Sequence, residues 1–131
     1  YAEFKTFFHG HSYTANPIAC AAGQASLDLL LKNECTNNIR RIAEQHAAFV
    51  QQIQKLPSVK HARHLGTIVA FEVETNGNDG YLNNISSMLH KKALEKGVLI
   101  RPLGNTVYLM PPYCISNEEL DVVYKCLRDI V

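Results

Sequence analysis

The sequence of 131 residues has no tryptophan, only four cysteines and no surplus of either charge. Its 13 lysines and arginines against 12 aspartates and glutamates leave a net charge of +1. That balance gives no electrostatic reason to expect a nucleic acid or an acidic membrane surface as a partner. No apolar run approaches the ~20 residues of a membrane-spanning helix. The nucleotide-binding and hydrolase motifs GxGxxG, P-loop, GxSxG and HExxH are also absent.

The cysteines are Cys20, Cys35, Cys114 and Cys126, and no two have the CxxC spacing of a zinc ribbon or a redox pair. Their density is far below that of a disulfide scaffold, so we interpret them as reduced thiols of a cytoplasmic protein. Cys20 and Cys126 lie in apolar helical patterns, which predicts that both are buried.

Hydrophobic periodicity predicts the element order α-α-β-β-α-β-β-α, an α+β domain with a small, mainly antiparallel sheet and flanking helices. Predicted helices begin at Asn16-Pro17, cover 39–53 and 82–96, and follow Ser116; predicted strands cover 59–63, 67–74, 98–101 and 106–110. The alanine-rich first helix is typical of an internal helix. Residues 27–31 and Met88 are predicted to lie in the core.

Arg101 ends an otherwise apolar strand candidate, and this makes it a candidate site residue. If residues 102–105 form a hairpin loop, Arg101 lies opposite Thr106 and shares one sheet face with Tyr108. A planar guanidinium matches a carboxylate with two parallel hydrogen bonds. The pair is therefore either a clamp for a ligand carboxylate, or an ordinary strand end whose arginine reaches solvent or an acidic neighbour.

A second candidate precedes the first helix, where residues 8–14 combine Gly10 with hydroxyl side chains such as Ser12. Glycine and hydroxyl groups before a helix N-terminus can donate hydrogen bonds to a phosphate. An ordinary connecting loop has the same composition, so both interpretations stay open.

The histidine pairs do not predict a metal site. His9 and His11 have no acidic or thiolate ligand nearby in the sequence. His61 and His64 are three residues apart on a predicted strand, where regular alternation points them to opposite faces. We expect the latter two to be surface histidines.

Two segments resemble the class III, fold type I, PLP-dependent aminotransferases. Residues 9–22, HGHSYTANPIACAA, are similar to the family stretch that ends in GNP-aliphatic-ACAAA. Residues 97–113, GVLIRPLGNTVYLMPPY, are similar to the C-terminal hairpin of the branch that serves biotin synthesis. The resemblance spans essentially the whole chain. It implies that residues 1–34 end the large domain and form a connecting helix, and that 35–131 form the C-terminal small domain.

The resemblance also implies roles for five residues. Gly10, His11 and Ser12 match the family's contacts to the phosphate of pyridoxal 5'-phosphate (PLP) in the neighbouring subunit of a homodimer. Arg101 matches the arginine that holds the carboxylate of the keto substrate, and Tyr108 matches a tyrosine beside it. The implied reaction moves an amino group from S-adenosylmethionine to PLP and then to 8-amino-7-oxononanoate, which gives 7,8-diaminononanoate.

The chain departs from the family pattern at two points. Ala15 stands where the family usually has glycine, so the backbone there must have a φ value that alanine tolerates. The lysine that bonds PLP covalently would lie some thirty residues before Ser12, and no residue matches it. We therefore expect the C-terminal portion of the enzyme, inactive alone and without its own catalytic residue. Two alternatives are another class III omega-aminotransferase and a stand-alone α+β module that binds a small carboxylate.

Overall fold

A computed structural model describes residues 3, 10, 12–75 and 84–131 of the chain. In these residues the structure has four helices and one three-stranded sheet, which confirms the predicted α+β class. The helices are α1 Pro17–Leu30, α2 Asn33–Ile53, α3 Ile85–Glu95 and α4 Asn117–Ile130, and the strands are β1 Val59–Leu65, β2 Ile68–Val73 and β3 Thr106–Leu109.

The sheet is antiparallel throughout, in the order β1-β2-β3. In β2 the side chains of Val69, Phe71 and Val73 are buried while the residues between them are more exposed, as the sequence alternation predicts. Tyr108 pairs with Ala70 and therefore lies on the face of the sheet opposite the Phe71 side chain. The core thus fills one face of the sheet, and β3 presents Tyr108 on the other.

The starts of α1 and α4 follow local capping signals, whereas α2 and α3 begin without a side-chain cap. The Asn16 side chain accepts hydrogen bonds from the amides of Ile18 and Ala19, at 3.0 and 3.1 Å, and so caps α1 as predicted. Ser116 and Glu119 form the predicted capping box at the start of α4. These capping hydrogen bonds satisfy backbone N–H groups in the first turn, which have no partner within the helix.

A buried polar pair lies inside the core between α2 and α4. His46 is 0% exposed, and its Nδ1 lies 2.6 Å from the Tyr124 hydroxyl while its Nε2 lies 3.1 Å from the carbonyl oxygen of Thr67. A carbonyl only accepts, so Nε2 carries the proton and Nδ1 accepts from Tyr124. Burial lowers the pKa of His46 and raises that of the Tyr124 hydroxyl. Both groups are therefore neutral, and each satisfies the other.

Several burial predictions for α1 and α3 are wrong. None of the residues of α1 is buried, the predicted core residues 27–31 are all exposed, and Cys20 is exposed. Met88 is also exposed, whereas Cys126 is buried as predicted. An apolar helical pattern predicts that one face of the helix packs against other residues. It does not show that those residues belong to these 131.

Regular alternation also fails in β1. A bulge falls between Lys60 and Arg63, and His61 within it has a φ of 51°. A bulge inserts an extra residue and changes which way the following side chains point. Regular alternation therefore does not decide which faces His61 and His64 occupy. Both side chains are exposed, as expected.

Candidate functional site

The segment of residues 98–102 connects α3 to the turn before β3, and it is not a strand. Leu103, rather than Arg101, pairs with Thr106, through backbone hydrogen bonds of 2.9 and 3.0 Å. Gly104, with a φ of 61°, turns the chain inside that pair. The predicted hairpin between 98–101 and 106–110, with Arg101 opposite Thr106, is therefore wrong. Pro102 has no amide hydrogen to donate to a ladder, which favours this outcome.

A groove of about 370 Å³ nevertheless brings Arg101 and Tyr108 together. Its other lining residues are apolar and come from the 98–102 segment, the chain after β3, and α4: Val98, Leu99, Ile100, Leu109, Met110, Pro111, Pro112, Ile115, Leu120 and Val123. Among the described lining residues, Arg101 is the one charged side chain. Arg101 is exposed and Tyr108 is half-buried, so both remain accessible.

This composition has a definite chemical preference. An apolar wall takes an aliphatic chain, a phenol offers a hydrogen bond, and a guanidinium takes a carboxylate at one end. The groove therefore suits an aliphatic acid with its carboxylate at Arg101. Sequence reasoning also predicted that Arg101 and Tyr108 lie together, although it did so through a hairpin that does not form.

The backbone next to Arg101 is held by a residue that the sequence analysis does not single out. His90 on α3 donates from Nδ1 to the carbonyl oxygen of Ile100, at 2.7 Å. A carbonyl can only accept, and this fixes the proton on Nδ1. No motif marks this contact, because it joins two residues across the turn after α3.

The second candidate site lies before α1. Residues 12–15 form a turn, and Gly10 and Ser12 are exposed. His11 lies outside the described residues, as does His9. The space that a Cβ on Gly10 would occupy is open. The side chain of Asn16 already takes the amides of Ile18 and Ala19, so a phosphate here would depend on donors upstream of the cap.

The donor chemistry of this loop fits the phosphate of PLP. Ser12 offers a hydroxyl and an amide, and Gly10 leaves its backbone open to approach. Ala15 has a φ of 56°, in the left-handed region that favours glycine, so alanine takes the glycine-like conformation at some cost. None of residues 12–15 lines the groove at Arg101, so the two candidate sites of one chain are separate.

No helix among the described residues combines the length and the apolar character needed to cross a membrane. The described part of the chain likewise contains no cluster of three or more histidine, cysteine or acidic side chains arranged to hold a metal ion.

Comparison with known proteins places this geometry in a family. The family described as Aminotransferase class-III matches residues 1–131. A relative from Synechococcus elongatus is 40% identical over 126 residues, which are 96% of this chain and 29% of the relative. A relative from Helicobacter pylori is 39% identical over 137 residues, covering 100% of this chain and 30% of the relative. Both are named adenosylmethionine-8-amino-7-oxononanoate aminotransferase.

Solved structures agree with this assignment. The crystal structure of the enzyme of that name from Methanocaldococcus jannaschii superposes with a TM-score of 0.83 at 28% identity, over 98% of this chain and 30% of that one. An omega-aminotransferase from Paracoccus denitrificans, at 23% identity and a TM-score of 0.82, supports the fold alone. The chain spans about 30% of the length of the curated relatives. By its family match, its relatives and its fold, the chain belongs to the class III aminotransferases.

Proposed function

We propose that this chain is the C-terminal part of a PLP-dependent aminotransferase of biotin synthesis. The full protein would transfer the amino group of S-adenosylmethionine to 8-amino-7-oxononanoate, with 7,8-diaminononanoate as product. It would act in the cytoplasm as a homodimer. The relatives that carry this name support the proposal, at 40% and 39% identity across nearly the whole chain.

The groove at Arg101 is the observation that carries the substrate assignment. An acceptor with an aliphatic chain between its reacting carbonyl and its carboxylate needs an apolar channel that ends in a cation. The groove offers apolar walls, the Tyr108 phenol and a single guanidinium. We assign the substrate carboxylate to Arg101 and a place beside the substrate to Tyr108, because these are the two polar side chains among the described residues that line the groove.

We assign the PLP phosphate to Gly10, His11 and Ser12, in the active site of the partner subunit. The open approach at Gly10 and the exposure of Ser12 support this role. PLP, when bound, supplies the electron sink that amino-group transfer requires. This chain would hold the cofactor's phosphate at the loop before α1 and the substrate's carboxylate in the groove at Arg101.

We also propose two domains, with residues 1–34 belonging to the large domain and its connecting helix and 35–131 to the small domain. The absence of buried residues in α1 supports this division, and the proposed boundary lies in the first turn of α2, which begins at Asn33. We further propose that these 131 residues do not transfer amino groups by themselves, because the resemblance matches none of them to the lysine that bonds PLP.

Substitution of Arg101 in the full-length, PLP-loaded protein tests the substrate assignment. Arg101→Ala should lower kcat/KM for 8-amino-7-oxononanoate by roughly 100-fold, since a bidentate ion pair loses two charge-assisted hydrogen bonds. PLP affinity should not change. The matched control is Arg128→Ala, an exposed arginine on α4 whose side chain contacts Gln52 instead of the groove. Unchanged keto-acid kinetics in Arg101→Ala would remove this residue from the site.

The identity of the amino donor separates the proposal from its alternatives. Formation of 7,8-diaminononanoate that depends on S-adenosylmethionine supports the biotin-synthesis assignment. Preference for a simple primary amine would instead indicate an omega-aminotransferase. A stand-alone carboxylate module predicts stoichiometric binding of small acids without PLP, which calorimetry measures directly.

A further inference from the structure

We infer that His90 is a positioning residue for the carboxylate-binding arginine, acting through the carbonyl group of Ile100. This inference rests on the proposed role of Arg101. Its starting observation is the hydrogen bond of 2.7 Å from His90 Nδ1 to the Ile100 carbonyl oxygen. Arg101 is the next residue in the chain, so the bond acts one peptide unit away from the group that would meet the substrate.

Such a contact matters because residues 98–101 do not form the strand that the sequence predicts. Residues 98–102 lie outside the described strands, so no ladder fixes how this segment is turned about its axis. Arg101 is exposed, and a guanidinium on a flexible side chain takes one direction only if its backbone is held. The direction of Arg101 must therefore be set by contacts at the segment's own residues.

His90 fixes the peptide plane that leads into Arg101. The carbonyl of Ile100 and the amide nitrogen of Arg101 belong to one rigid planar unit, so a hydrogen bond to the first orients the second. The Ile100 side chain is 4% exposed and packs in the core. Ile100 is thus held at both its side chain and its carbonyl, while Arg101 after it faces the groove.

Pro102 restrains the other side of the same residue. Proline disfavours the helical region for the residue before it and directs Arg101 toward extended backbone angles. The His90 bond limits rotation before Arg101, and Pro102 limits rotation after it. Together they leave the arginine few backbone conformations, which lowers the entropy lost when it closes on a carboxylate.

The helix that carries His90 is anchored in the core. On either side of it along α3, Leu89 and Ala93 are both 0% exposed. The carbonyl of Ala93 also accepts the amide of Val98, at 2.9 Å, where the segment leaves the helix. A fixed helix therefore holds the segment at two points, Val98 and Ile100, before the chain reaches Arg101.

The test uses substitutions of His90 whose side-chain amide nitrogen replaces either Nδ1 or Nε2 of the imidazole ring. The amide nitrogen of asparagine reaches about where Nδ1 lies, whereas that of glutamine reaches about where Nε2 lies. His90→Asn should therefore restore the bond to Ile100, and His90→Gln and His90→Ala should not. Glutamine is the better helix former, so a simple effect on α3 would rank the first two variants in the opposite order.

The readout is discrimination for a carboxylate, measured in the full-length protein loaded with PLP. The ratio of kcat/KM for 8-amino-7-oxononanoate to kcat/KM for its methyl ester isolates recognition of the charge. We expect His90→Ala and His90→Gln to lower this ratio about fivefold, the size expected for one lost hydrogen bond, and His90→Asn to stay within about twofold of wild type. Melting temperatures monitor the fold of each variant.

The outcomes separate the two assignments. If His90→Ala lowers the rates for acid and ester in parallel, or if asparagine and glutamine behave alike, the positioning role is wrong. If Arg101→Gln abolishes the discrimination while the His90 variants keep it, the positioning role alone fails. If Arg101→Gln leaves the discrimination intact, the carboxylate is bound elsewhere and both assignments fail.

Discussion

Removing the hydroxyl of Tyr124 should destabilise the packing of α4 on α2, although no apolar contact is lost. The ring stacks on Phe49 with centroids 4.4 Å apart and an interplanar angle of 15°, and phenylalanine can keep that contact. Tyr124→Phe deletes the donor to His46 Nδ1, which is 0% exposed and then has no replacement partner from water. A buried acceptor left unsatisfied costs about 1–3 kcal/mol.

Hydrogen exchange of peptides from α2 and α4 measures this loss in the full-length protein. A cost of about 1–3 kcal/mol corresponds to exchange that is roughly 5- to 150-fold faster in both helices. The matched control is Tyr113→Phe, because that tyrosine is 40% exposed and its hydroxyl can reach solvent. If both variants exchange alike, the hydrogen bond between His46 and Tyr124 contributes no measurable stability and the reasoning is wrong.

The same pair predicts a direction of pH dependence. Burial lowers the pKa of His46 from its ordinary value of 6.5, so the unfolded chain takes up a proton at a higher pH than the folded one. The stability that this difference provides is present above pH 6.5 and is lost as the pH falls from 6.5 toward the lowered pKa of the folded state, by at most about 1.4 kcal/mol per pH unit. His46→Leu lacks this loss, so the gap in stability between it and wild type should narrow below pH 6.5. A constant gap would contradict the burial of neutral His46.

Three further substitutions test the loop and the core. Ser12→Ala should weaken PLP binding roughly tenfold by removing a hydrogen bond to a charged group, whereas Ser12→Thr keeps the hydroxyl; a spectroscopic titration that shows equal affinities would exclude the contact. Ala15→Gly should raise the free energy of unfolding by about 0.5 kcal/mol, because glycine adopts the φ of 56° without strain; a decrease in a urea titration would contradict this. Leu120→Ala, at a side chain 0% exposed, should cost about 2–5 kcal/mol, against less than about 0.5 kcal/mol for Val122→Ala, which is 57% exposed.

Local signals in the sequence predicted most of the secondary structure. The Asn16 cap, the capping box of Ser116 with Glu119 and the alternation of β2 all involve residues within four positions of one another. Interactions of that range depend on backbone geometry that every helix or strand shares. They are therefore readable without knowledge of what packs around them.

The 98–102 segment shows where local reading fails. Its apolar residues suit a strand as well as they suit an extended connection whose side chains enter a core. Ile100 is buried and Leu99 is 64% exposed, so the burial alternates as in a strand. Whether this segment joins the sheet is decided by pairing across the sheet, and among the described strands β3 pairs with β2 alone. Periodicity carries no information about that choice.

The sequence by itself determined the fold class, the caps at the starts of α1 and α4 and the alternation of β2, because capping and alternation are local properties. It did not determine the start of α2, which was predicted near residue 39 and lies at Asn33. It also singled out Arg101 and Tyr108 as candidates by their residue chemistry. The tertiary structure decided what those residues can do. It joined Arg101 to Tyr108 through an apolar groove instead of a hairpin, and it placed His90 against the carbonyl of Ile100. It also left α1 exposed along its whole length. Each of these features depends on contacts between segments that are distant in the sequence. The free energy of such a contact depends on both segments, so neither segment's sequence predicts it alone.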